Sequence, residues 1–541
     1  MSAKETNLSN PLESRTEPQT RLWLWAALTA GLAFRIAYLV SMRGHPLFEP
    51  LLPGYDMTVF HEWAKRIAGG KLTYDGAFYQ APLYPYLLGA IYALTGPSEL
   101  IAKIFQAFLG TASVGLLYLL GQRLFGRRTA LTAAWLMALT PIFPFYECFL
   151  LADSLITFLN LALLAALAWY DPDKPRRWAA LCGFLLGLAA LARPNILVLL
   201  PVGLYWIWRS LEGKSASLRL KAAGVFFLIT FLTISPATIH NVTIGKSWAL
   251  ISANFHENWR IGNSYDSTGG FWQPQQGEVP ILSADFLRLQ LKKLWMLARD
   301  YEQPNNVNFY QIARENFLLK LPLSWGVYLA FGLAGVVLTR KSRGQLFPLY
   351  SYLLLYGASL VAFFITGRYR VPLWPVLILF SAACLTAVME QALEKKNLSA
   401  ALALALPSAA ALLLVLGNSR TIQPQYFDNV VLICEKRGDD QGAAAELARK
   451  LELYPDDPAT LWRLAYYLQK TGQKEEASIR LEWLLTLVGE QPLVLREAGL
   501  LDLELGNPGR GKERLRRYLE LDPSAPDSLI IQGIIAHPPG K

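Results

Sequence analysis

Eleven apolar stretches separated by short, basic turns leave this 541-residue chain few ways to fold. They fall at 22–40, 101–121, 129–146, 154–170, 178–192, 195–208, 220–237, 321–338, 347–366, 371–389 and 398–416. A run of that length satisfies its own backbone in lipid only as a helix, and about 20 apolar residues cross a bilayer. The expectation is an all-α, polytopic membrane protein of eleven transmembrane helices. The first span lacks a small-residue cleavage site and reads as an anchor. Residues 82–95 are apolar but short and hold Pro82 and Pro85, so they read as an interfacial helix.

The basic turns orient these spans. Clusters occur at Arg123/Arg127/Arg128, Lys174/Arg176/Arg177, Arg209/Lys214/Arg219, Arg340/Lys341/Arg343 and Lys395/Lys396. With eleven crossings every cluster lands on the cytoplasmic side, as the positive-inside rule asks; a crossing at 82–95 would flip them. The N-terminus is then cytoplasmic, residues 1–20 form a polar, disordered tail, and loops 41–100 and 238–320 lie outside. Arg193, Arg368 and Arg370 also fall outside, against the rule. They either pair with carboxylates or bind an anion.

Composition agrees. The chain is 53% hydrophobic and only 17% charged, and its 16 Trp and 24 Tyr suit aromatic belts at two interfaces. Two of the four cysteines (148, 182, 384 and 434) fall inside spans, so no disulfide framework is implied. The net charge of +10 is no nucleic-acid signature, because the excess sits in the short turns: residues 420–541 carry a net −3 and residues 1–419 carry +13.

Residues 420–541 change character, to a charged domain with a 34-residue repeat. Gly438, Gly472 and Gly506 keep that step, as do Ala443, Ala477 and Gly511, then Leu447, Leu481 and Leu515, then Pro458, Pro492 and Pro526. This is the tetratricopeptide period of a helix–turn–helix unit. Such arrays present a concave surface to a partner protein. The other reading is a domain that only caps the membrane module, 21–419.

Residues able to carry chemistry gather in the outside loops. The first holds Asp56, an amphipathic stretch from Val59 to Gly69, and Tyr79-Gln80-Ala81-Pro82. A short second loop holds Glu147 and ends at Asp153, at the mouth of a span, where ionised groups are costly and usually functional. Asp56 and Asp153 converge if the first and fourth spans pack together. His61, His240 and His256 lack metal-ligand spacing, and no P-loop, GxSxG or CxxC motif is present. Loop 238–320 mixes polar and aromatic residues, among them Asn254, Glu257, Trp259, Asn263 and Trp272, which suit a sugar or lipid headgroup and equally a solvated loop.

Residues 21–416 resemble the GT-C superfamily of membrane glycosyltransferases. Within it they are similar to glycosyltransferase family 39, the branch of protein mannosyltransferases and lipid A aminoarabinose transferases. The resemblance rests on Asp56 early in the first loop, Ala81 to Pro85, Arg123 to Arg128, Ala138 to Pro141, Leu150 to Ser154, Leu191 to Asn195 and Arg368 to Pro375, in that order. It implies inverting transfer from a polyprenyl-phosphate sugar to a lipid, glycan or protein acceptor, in a bacterial inner membrane with the repeats in the periplasm. Asp56 would be the base and Asp153 its partner. Arg193, Arg368 and Arg370 would hold the donor phosphate. No cofactor is required, though two acids near a phosphate can hold a divalent cation. The chain departs from relatives where some place a phosphate-binding lysine, for Gln80 and Ala81 stand there, and His240-Asn241 replaces an Arg-Asn pair. Rival readings are an O-antigen ligase or O-oligosaccharyltransferase, which centres on a late loop, and a transporter or repeat scaffold. A transporter should show internal symmetry, and none is visible.

Overall fold

The computed structural model describes residues 17–49, 52–416 and 422–536. Most of the expected 1–20 tail and the expected boundary at 420 lie outside them; the first helix starts at Glu17. The chain divides into two compact units, Met1–Gly44 with Pro53–Thr421, and His45–Leu52 with Ile422–Lys541. Among the described residues both are built from helices, with no strand beyond two isolated bridges.

The first unit runs through α1 (Glu17–Ser41), α2 (Asp56–Ala68), α3 (Leu83–Thr95), α4 (Glu99–Phe125), α5 (Arg127–Leu139), α6 (Ile142–Glu147), α7 (Asp153–Ala168), α8 (Pro175–Ala192) and α9 (Leu200–Ser210). It continues through α10 (Ala216–Thr243), α11 (Phe255–Asn263), α12 (Ala284–Ala298), α13 (Phe309–Glu315), α14 (Trp325–Leu338), α15 (Phe347–Ala362), α16 (Gly367–Arg370), α17 (Trp374–Met389) and α18 (Leu398–Val415). Six stretches among the described residues are long and apolar enough to cross a membrane: Pro18–Ser41, Glu99–Phe125, Ala216–Thr243, Phe317–Leu338, Gly367–Glu394 and Leu398–Val415. Leu83–Thr95, Asp153–Ala168 and Phe347–Ala362 are shorter apolar helices.

The remaining expected spans are broken or blunted. The run 129–146 stops at Thr140 and resumes as α6, because Pro141 and Pro144 remove donors and clash with the preceding turn. The run 195–208 starts as a 3₁₀ segment, Pro194–Leu199, before α9 takes over with Pro201 in its first turn. Helix α8 opens on Pro175-Arg176-Arg177, which shortens its apolar part.

Burial grades across this bundle. Helix α17 packs against α5, α14 and α18, and its span is 72% buried. Helix α18 leaves Leu402, Leu406, Leu413 and Leu414 bare, a costly face in water and an ordinary one in lipid. Close approach relies on small residues: a Cβ added at Gly335 of α14 would run into the Phe380 carbonyl of α17.

The second unit is a stack of helix pairs: α19 (Pro424–Arg437), α20 (Asp440–Leu453), α21 (Pro458–Lys470), α22 (Lys474–Val488), α23 (Pro492–Glu504) and α24 (Pro508–Leu521), then α25 (Ser528–Ala536). Helices α19, α21 and α23 each open on proline, whose missing N–H costs nothing in a first helical turn. Gly438 closes α19 at φ 71°, a left-handed turn that glycine adopts without strain, and Gly472 and Gly506 repeat it. Ala443, Ala477 and Gly511 are buried where each second helix meets its neighbours. Asp502 is wholly buried between Arg510 and Arg514. The segment His45–Leu52 belongs to this unit: Leu47 and Leu52 are buried, and Glu49 pairs with Arg437 of α19 at 3.1 Å.

Valine at position 335 should destabilise the first unit by about 1–3 kcal/mol through overpacking. Gly335→Val therefore melts lower in detergent than wild type. Gly224→Val, which faces open space, is the control and melts with wild type.

Candidate functional site

Chain reversals sort the bundle into two ends. The five basic clusters lie in or beside the turns at 126, 169–174, 211–215, 339–346 and 395–397, and contacts tie these turns together at one end: Arg128 meets Glu394, Arg123 donates to the Ala168 carbonyl and Lys214 meets Asp173. The other end gathers the end of α1, α2 and α3, the N-terminus of α7, the C-termini of α8, α10 and α15, and α16. Every candidate site residue comes from that second end.

At its centre stands Arg368, on the one-turn helix α16 between α15 and α17. Its Nη1 donates to Asp56 Oδ2, and its Nε meets Asp153 Oδ2 at 2.9 Å. Both acids occupy the first turn of a helix, α2 and α7, where the backbone dipole favours negative charge. Arg193, just past α8, meets Asp153 Oδ1 at 3.3 Å and lies over the Tyr369 ring, 4.4 Å from its centroid. Two acids and two guanidiniums thus form one line, Asp56–Arg368–Asp153–Arg193. Asp153 is fully buried, Arg368 nearly so, while Asp56 keeps about a quarter of its side chain open.

Asp56 is held from three more directions. Gln80 Nε2 donates to its Oδ1 at 2.6 Å. Asn306 Nδ2 donates to its Oδ2 at 3.1 Å, and Asn306 Oδ1 accepts the Asp56 backbone N–H at 3.0 Å. Asn305 Oδ1 accepts from both Arg368 and Asn306. Burial alone would raise the Asp56 carboxyl. The Arg368 charge and the hydrogen bonds from Arg368, Asn306 and Gln80 outweigh it and hold the group below the usual aspartate range.

The other sequence candidates stand apart. Arg370 is fully buried, pairs with Glu302 at 3.0 Å, donates to the carbonyls of Leu297, Arg299 and Tyr301, and stacks on Trp325. Both terminal nitrogens are thus committed to the 297–302 segment, and the structure does not bring Arg370 to the Arg368 cluster. Glu147 pairs with Arg35 of α1 at 2.8 Å, both buried, against Gly110 of α4. It shares with Asp153 only a small cavity with room for about one water molecule. His240 and Asn241 act as a staple: His240 Nε2 accepts from Tyr74 N, and Asn241 Oδ1 accepts from Phe78 N, which fixes the stretch leading to Gln80. Among the described residues no group of three or more His, Cys, Asp or Glu gathers that could hold a metal ion. The two acids near the site face a guanidinium between them, where a bridging cation would sit.

Sequence reasoning missed Asn305, Asn306 and Glu302, which sit some 250 residues beyond Asp56. The one local cue is Pro304-Asn305-Asn306, a turn-forming run in which Asn tolerates a left-handed backbone; Asn306 has φ 65°.

No curated protein matches the chain in sequence. Among solved structures it is similar to the Archaeoglobus fulgidus oligosaccharyltransferase in the apo form, at 14% identity and TM-score 0.48. That likeness covers 78% of this chain but only 60% of the archaeal one. It is also similar to ArnT from Cupriavidus metallidurans bound to undecaprenyl phosphate, at 14% identity and TM-score 0.42, over 96% of this chain and 78% of that one. Residues 79–240, the stretch that carries Gln80, Glu147, Asp153 and Arg193, match the family model described as dolichyl-phosphate-mannose-protein mannosyltransferase.

Proposed function

We propose that the chain is a membrane glycosyltransferase that moves a sugar from a polyprenyl phosphate to a lipid, glycan or protein acceptor, with inversion, at the outer face of a bacterial inner membrane. The observation that carries this reading is the line Asp56–Arg368–Asp153–Arg193 at the end of the bundle away from the basic turns. The family match over 79–240 supports it, because that family's name describes transfer from a lipid-phosphate sugar. The positive-inside rule supports a cytoplasmic position for the opposite end, where the basic turns lie.

The chemistry follows from the groups present. The bond from the anomeric carbon to the phosphate oxygen breaks, and its electron pair leaves with the phosphate. The acceptor oxygen attacks the opposite face of the sugar, and its proton passes to Asp56. A phosphate leaves without a general acid, unlike the alkoxide of a glycosidase substrate. The low basicity of Asp56 is adequate, because an acceptor oxygen bonding to an electron-poor carbon becomes strongly acidic. Charge building on the phosphate needs cations. Arg193 is the more exposed of the two guanidiniums on Asp153 and takes that role. Arg368 holds the two acids a fixed distance apart. The polyprenyl chain would lie between apolar helices, and the repeat unit would recruit the acceptor or a partner protein.

Release of sugar from labelled polyprenyl-phosphate hexose and pentose donors, with purified protein in lipid, tests the reading. Asp56→Asn should lower turnover by about 10²–10⁴-fold with donor binding kept; turnover that survives removes Asp56 as the base. Because the Asp56 carboxyl is depressed, it is ionised at neutral pH. Turnover should therefore stay level through neutrality and fall only in acid, below the ordinary aspartate range. An acidic limb near pH 6 would contradict the assignment. Arg368→Lys keeps the charge but loses the fork that spans both acids. It should cost turnover about 10²-fold, and a variant within threefold of wild type would show that the bridge is dispensable.

A further inference from the structure

We propose that Asn306 is the positioning residue that fixes the Asp56 carboxylate and leaves Oδ1 as the oxygen that meets the acceptor. The inference rests on Asp56 being the base. An ionised carboxylate offers about two lone-pair sites on each oxygen. Oδ2 is filled twice, by Arg368 and by Asn306 at 3.1 Å. Oδ1 accepts once, from Gln80 at 2.6 Å, and keeps one site open. The carboxylate cannot rotate about its bond without breaking all three.

Asn306 also fixes the backbone under that side chain. Helix α2 has no side-chain cap from its own N-cap residue, Tyr55. Asn306 Oδ1 supplies one from 250 residues away by accepting the Asp56 N–H at 3.0 Å, one of the orphan donors of a helix start. One amide thus grips Asp56 at the main chain and at the carboxylate together. Its other contact, Nδ2 to Asn305 Oδ1 at 2.8 Å, closes a ring through Arg368, which donates to the same oxygen. The backbone at Asn306 is left-handed, φ 65°, a conformation uncommon outside glycine and one in which Asn is enriched. Such geometry persists where the surroundings over-determine it, and it clusters at functional sites. The charged and titratable groups that face Asp56 are Arg368 and Tyr369 from α16, Tyr79 before α3, and Asp153 across Arg368. Asn306 grips Asp56 directly and reaches Arg368 only through the Asn305 oxygen to which both donate.

The test uses the full chain in lipid nanodiscs. Carbodiimide takes the protonated acid, so pH-dependent labelling mapped by mass spectrometry gives the Asp56 midpoint without any turnover. Asn306→Gly suits the left-handed backbone and removes only the side chain. Its midpoint should rise by about one pH unit, a tenfold change in proton affinity. Its donor turnover should fall about tenfold with KM within about twofold. Asn306→Asp keeps an acceptor for the Asp56 N–H but sets a second carboxylate against Oδ2, and its midpoint should rise further. A midpoint unchanged in both variants overturns the proposal even if the melting temperature or turnover falls, because a merely structural loss leaves the titration where it was. Shifted midpoints in a protein that turns over no donor would sink the transferase reading and leave the positioning role standing.

Discussion

Everything at the site end of the bundle depends on one guanidinium shared by two acids. Asp56 and Asp153 lie 97 residues apart on different helices, and two carboxylates brought together repel and push one another towards protonation. Arg368 removes that penalty by meeting one acid through Nη1 and the other through Nε. A planar, always-charged fork can do this in a nearly dry place, and an ammonium on a flexible stem cannot. The remaining charge is balanced by Arg193, so the buried line of four is neutral and the desolvation cost of each member is offset by its neighbours.

The scaffold around the line serves to aim it. Helix α16 is a single turn with little stiffness of its own. It is anchored by Arg370, which ties it to the carbonyls of 297–301, and by Gly367 N, which donates to Gln303 O. The stretch that carries Gln80 is held by His240 and Asn241 at the end of α10. Asn305 and Asn306 arrive on the same 297–306 segment that Arg370 grips. Arg370, one of the three arginines expected to contact phosphate, holds the backbone of the segment on which the partners of Asp56 sit.

Much of the fold was legible because lipid imposes a simple rule. Long apolar runs had to be helices, and the 34-residue step of Gly438, Gly472 and Gly506 declared helix pairs before any coordinates. What hydropathy does not see is local. Pro141, Pro144, Pro194 and Pro201 split apolar runs that hydropathy alone joins, since proline changes the backbone without changing the apolar character. At the site, Asp153, Arg193 and Arg368 stood out as charges beside apolar spans, and Asp56 as an acid in the first long loop. Arg370 looked identical to Arg368 by that criterion. Only three-dimensional packing separates them, because residues two apart on a helical turn face different neighbours. Asn305 and Asn306 carried no charge and no periodicity, and their role arises from a contact across 250 residues.

The central claim is that this line of charges is a seat for a lipid phosphate beside a base. Its most direct test is a structure of the full chain in nanodiscs with polyprenyl phosphate bound. The account predicts the phosphate within hydrogen-bonding reach of Arg193, with the Asp56–Arg368–Asp153 bridge intact and Asp56 Oδ1 facing the open side. A phosphate seated elsewhere, with Arg193 still closed on Asp153 and Tyr369, would contradict it.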